Sequence, residues 1–142
     1  MKYFLLFIFL ILTNSCCTYR TINSNNPDKV IIYHLNPQRT SLVSISCDRV
    51  KAMHDVKVTV IDDCKEVKRI YKILMDKRNY IEDTSYRAQD FRISFVFFKG
   101  DTTVETICWS NVQRIVVNER CYMYSKEIEN LLLSMKLIYD IK

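Results

Sequence analysis

Six cysteines, two histidines and an adjacent pair of aspartates are the side chains of this 142-residue chain best suited to chemistry. A metal site would have to join His54 to Cys47 and Cys64. No C-x-x-C or H-x-x-x-H spacing puts such ligands on one turn or one helix face. His34 and His54 therefore read as surface or half-buried histidines, and neither a metal nor a cofactor is expected. A thiol nucleophile needs a base held against it by the fold, and Cys108, in Ile107-Cys108-Trp109-Ser110, has no histidine near it in sequence. Asp62 and Asp63 could act as paired carboxylates, but they precede a helical pattern that would use them as caps. There is no G-x-S-x-G, P-loop or H-E-x-x-H, and a single glycine cannot build a phosphate cradle. No catalytic residue is expected, and the chain reads as a non-enzyme.

Cys16 and Cys17 belong to a different kind of chemistry. Lys2 is followed by an unbroken apolar run over residues 3–12, and then by Thr13-Asn14-Ser15-Cys16-Cys17. Ten helical residues rise about 15 Å, half of a ~30 Å hydrocarbon core, so the run is too short to span as an anchor. A charged start, a short apolar core and small polar residues form the pattern of a removable export signal. Leu12-Thr13-Asn14-Ser15-Cys16 resembles the lipobox of bacterial lipoprotein precursors, in the looser form of small Bacteroidota lipoproteins. That resemblance implies diacylation of the Cys16 sulfur, cleavage before it and acylation of the new amino terminus. It brings no known activity.

The elements that must position everything else follow a tether. Residues 16–29 hold Asn, Ser and Pro and little to bury; a dozen such residues reach about 20 Å. Residues 30–142 have room for one globular domain. Without residues 1–15, which carry only Lys2, the formal charge falls from +5 to +4. The charges are interspersed, which excludes a nucleic-acid footprint.

Residues 30–35 form a short β-prone run. Alternation of Val43, Ile45 and Cys47 with Ser44, Ser46 and Asp48 predicts a strand over 42–50, and Val56, Val58 and Val60 predict another. Between them, 51–55 would be a hairpin loop with His54 at its tip. Val67, Ile70, Tyr71 and Leu74 are spaced as one helix face over about 63–77. Residues 78–90 read as a polar loop with isolated tyrosines. Phe91, Ile93, Phe95 and Phe97 alternate up to a turn at Gly100. Strands at 102–109, 112–117 and 120–124 continue the meander, and a helix capped by Ser125 carries Ile128, Leu131, Leu132, Met135 and Ile138. The fold class is α+β: an antiparallel sheet meander with two helices packed on one face, a two-layer sandwich.

Two site expectations follow. If the phenylalanines of 91–97 point inward, the other sheet face carries Arg92, Phe98 and Arg114 with Trp109, Tyr122 and Tyr124. Such an aromatic, arginine-bearing face suits a protein partner, or simply covers an open sheet with long side chains. Among Cys47, Cys64, Cys108 and Cys121, strand offset places Cys108 and Cys121 ~14 Å apart, beyond the ~7 Å that a disulfide allows. If a bond forms, Cys47–Cys64 is the expected pair; otherwise all four are small buried apolar side chains. The chain is thus expected to be a membrane-anchored envelope lipoprotein with a binding or accessory domain. The competing expectation is a small envelope hydrolase or thiol enzyme whose site forms only in three dimensions.

Overall fold

A computed structural model describes residues 26–36, 44–82, 90–110, 114–117 and 120–138. The signal, Cys16 and most of the tether lie outside them. The described residues form seven strands and three helices. They are β1 (Lys29–His34), α1 (Cys47–Ala52), β2 (Lys57–Ile61), α2 (Cys64–Met75), β3 (Tyr80–Glu82), β4 (Phe91–Lys99), β5 (Thr102–Ser110), β6 (Arg114–Val117), β7 (Arg120–Tyr124) and α3 (Lys126–Ser134). A short 3-10 turn at Lys77–Asn79 joins α2 to β3.

The strands form one sheet in the order β2-β1-β4-β5-β6-β7-β3, and every pairing is antiparallel. The fold is α+β, as the alternation and helical stripes predict. The meander β4 to β7 turns first at Gly100, which sits at φ +59° at the first central position of a two-residue turn. Its N–H donates to the Asp28 carboxylate at 2.9 Å, tying the start of β1 to the hairpin.

Helices α2 and α3 pack on one face of the sheet. Val67, Ile70 and Leu74 of α2 and Ile128, Leu131 and Leu132 of α3 are buried there. They pack against Val30, Ile32, Ile93, Phe95, Phe97, Ile107, Trp109, Ile115 and Val117. Asp63 caps α2, its carboxylate accepting from the N–H groups of Lys65 and Glu66 at 3.1 and 2.8 Å. At the start of α3 the Ser125 hydroxyl does not cap; it bonds the side-chain oxygen of Asn79 at 2.9 Å.

Two elements differ from expectation. The strand expected over 42–50 is, in its described part, the helix α1, preceded by Ser44–Ser46 in no regular structure. His54 lies in an exposed turn after that helix, not at a hairpin tip. The stretch expected as loop from 78 contains β3, which docks on β7 at the far edge of the sheet. Helix α2 therefore carries the chain from the β2 edge towards the β3 edge.

Helix α1 lies on the opposite sheet face from α2 and α3. Val50 packs there with Leu35, Ile45, Phe91 and Cys108 in a second, smaller core. The Phe91 N–H donates to the Ile45 carbonyl and the Leu35 N–H to the Arg92 carbonyl, at 2.9 and 2.8 Å. Cys47 is bonded to Cys108, with Cα atoms 5.8 Å apart and a sequence separation of 61. Cys64 is also in a disulfide, but not with Cys47. The expected Cys47–Cys64 pair fails because the sheet lies between them: α1 covers one face and α2 the other. Cys108 and Cys121 are not bonded to each other either, although the offset argued for them is wrong. Both pair in register with Val116, so they sit level, two strand spacings or about 10 Å apart.

Candidate binding cleft

Alternation along β7 puts Arg120, Tyr122 and Tyr124 on the helix face. Register places Arg120 and Tyr122 opposite Val117 and Ile115 of β6 on one side, and Tyr122 and Tyr124 opposite Glu82 and Tyr80 of β3 on the other. Helix α2 ends at Met75 before it covers this corner. What remains is a cleft of about 310 Å³ lined by Met75, Lys77, Tyr80, Glu82, Val117, Arg120 and Tyr122. This is within the size range of small-molecule sites, at its lower end of about 300 Å³.

The walls are fixed by Asn79, which is buried. Its side-chain amide donates to the Ile73 carbonyl at 3.0 Å, its own carbonyl accepts from the Ser125 N–H at 2.9 Å, and its side-chain oxygen holds the Ser125 hydroxyl. One residue thus clamps the end of α2, the start of β3 and the start of α3. Next to it, the Tyr80 hydroxyl donates to the Leu74 carbonyl. Burial pushes the Tyr80 phenol well above its usual range, with the neighbouring Tyr122, Asp76 and Glu105 adding to the shift. The Tyr80 and Tyr122 rings meet at 5.2 Å between centroids, tilted by 48°. Asp76 closes the 3-10 turn through the Arg78 N–H and guanidinium, and these bonds hold its carboxyl down at about 2.

Around this aromatic floor stand Lys77, Glu82 and Arg120, all exposed. Among the described residues none of the three is in an ion pair. A second concavity, of about 450 Å³, shares Met75 and is lined by Asn26, Lys68, Tyr71, Lys72 and Asp76.

The six residues expected to share one binding face do not share it. Trp109, Tyr122 and Tyr124 are on the helix face; Trp109 is buried and its ring lies 6.3 Å from that of Tyr124. Arg92 and Arg114 are on the α1 face. Arg92 is only 1% exposed and pairs with the Asp90 carboxylate, whose other oxygen accepts from the Ile45 N–H at 3.1 Å. It is a buried strut holding the approach to α1. Phe98 lies at the other end of β4, six residues or about 20 Å from Arg92, under the Lys29 ammonium at 5.0 Å. Only Tyr122 enters the cleft. The sequence signal for it was the Arg-x-Tyr-x-Tyr alternation of 120–124; Lys77 and Glu82 carried none.

Cys16, the expected lipidation site, lies outside the described residues. Among the described residues, no cluster of three or more His, Cys, Asp or Glu side chains could hold a metal ion. No family model, curated protein or solved structure matches the chain.

Proposed function

We propose that this chain is an exported bacterial lipoprotein: residues 1–15 are removed, Cys16 carries the lipid, and the α+β domain works as a non-catalytic binding module on a tether at the cell envelope. The observation that carries this reading is the Cys47–Cys108 disulfide, which joins α1 to the fully buried Cys108 of the central strand β5. Disulfides of this structural kind form and persist in oxidising compartments and are rare in a reducing cytosol. The export signal and the Ser15-Cys16 junction supply the route and the anchor. The cleft between α2 and the β3–β7 edge supplies the binding role, because an apolar floor with a few unpaired charges at its rim is the composition of a ligand site.

The test is the intact mass of protein extracted from membranes with detergent. A chain beginning at Cys16 and carrying acyl groups is expected. A soluble, unmodified chain beginning elsewhere would refute the anchor.

A further inference from the structure

Glu82 and Arg120 occupy diagonal positions on neighbouring strands: Glu82 is opposite Tyr122, and Arg120 is two residues from Tyr122 on the same face. Diagonal neighbours are about 7–8 Å apart, within reach of long side chains. Opposite charges so placed can close a salt bridge, yet among the described residues these two are in none. Lys77, from the 3-10 turn, adds a second cation to the lining that is in no ion pair among the described residues. Beneath them the lining is Tyr80, Tyr122, Met75 and Val117.

Each part selects for a piece of a ligand. Two cations converge on a carboxylate, and one carboxylate accepts from an ammonium. Ring faces and aliphatic side chains take an apolar body, an aromatic ring best of all, by offset or edge contact. The small volume excludes a long chain. A ligand with a carboxylate and an ammonium at one end and an apolar group at the other meets all of these demands. We infer that the cleft binds a free α-amino acid with an aromatic or large apolar side chain, its carboxylate on Arg120 and Lys77 and its ammonium on Glu82. This rests on reading the domain as a binding module. It does not depend on the anchor, so a lipidated protein that ignores amino acids and an unlipidated protein that binds them are separate failures.

Isothermal titration of the full chain in detergent with L-phenylalanine tests it, alongside N-acetyl-L-phenylalanine and L-phenylalaninamide, which lack the ammonium and the carboxylate charge. L-Phenylalanine should bind with a Kd in the millimolar range or tighter, and each blocked form about tenfold more weakly, as expected for losing a charge-assisted hydrogen bond. Glu82→Gln should abolish the preference for the free amine, and Arg120→Gln the preference for the free carboxylate. Both side chains are exposed, so neither change removes packing. Absence of binding, equal binding of the blocked and free forms, or variants that leave both preferences intact would overturn the inference. The blocked ligands alone decide it on the unaltered protein.

Discussion

Replacing both Cys47 and Cys108 with alanine cuts the covalent link between α1 and the central strand β5. The bond closes a segment of 61 residues, and the chain-entropy argument gives a cross-link of that span about 4 kcal/mol at 25 °C. Cys64 is in a disulfide too, which already restrains the unfolded chain, so a loss of about 2–4 kcal/mol is expected. Packing adds little to this, since alanine keeps the Cβ atoms and α1 retains Val50 against Leu35 and Phe91. Urea unfolding followed by the fluorescence of the buried Trp109 reads the effect. With a slope of about 1.5 kcal/mol/M, a loss of 3 kcal/mol lowers the midpoint by about 2 M. The cysteine pair should also survive as a crosslinked peptide in an unreduced digest of the parent protein. A midpoint within about 0.3 M of the parent would show that the bond adds no constraint, and the argument from span would be refuted. A digest linking Cys47 to Cys64 would refute the placement of α1 and α2 on opposite faces.

Leu74→Ala and Leu132→Ala should each cost ~2–5 kcal/mol in the same unfolding assay, because both side chains are fully buried where α2 and α3 meet the sheet; unchanged midpoints would mean that these stripes are not core. Asp90→Asn should destabilise by about 3 kcal/mol and Arg92→Met by less, since the first leaves a buried guanidinium uncompensated and the second removes the charge; the reverse order would refute the pair as a buried strut. His34 should make stability depend on pH. Burial first, and then the Lys57 charge, lower its folded pKa below 6.5, so the unfolded chain takes up the proton first. Its contribution is full above about 6.5 and is lost as pH falls below that value, and His34→Asn should flatten this part of the unfolding-versus-pH curve.

The long elements were legible before any coordinates because each repeats its period several times. Phe91, Ile93, Phe95 and Phe97 alternate through a nine-residue strand up to Gly100, and Val67, Ile70 and Leu74 mark three turns of α2. Helix α1 has only six residues, too few to display a 3.6-residue period, while Val43, Ile45 and Cys47 imitate a strand. Strand β3 has three residues and shows no period at all.

Local pattern thus determined the α+β class, the two amphipathic helices and the meander, since burial of one face requires a repeating apolar stripe in the chain itself. Tertiary structure alone decided what depends on which sheet face an element covers. The Cys47–Cys108 bond exists because α1 crosses to the face opposite α2. The expected aromatic–arginine face dissolved because cross-strand register puts Trp109 opposite Ile93 and Tyr122 opposite Ile115, on the helix face, while Arg114 pairs with Ser110 and Met123 on the other. The cleft joins Met75, Lys77 and Glu82 from one stretch of the chain to Val117, Arg120 and Tyr122 from another, so their meeting is a property of strand order and register. No single stretch of residues contains it.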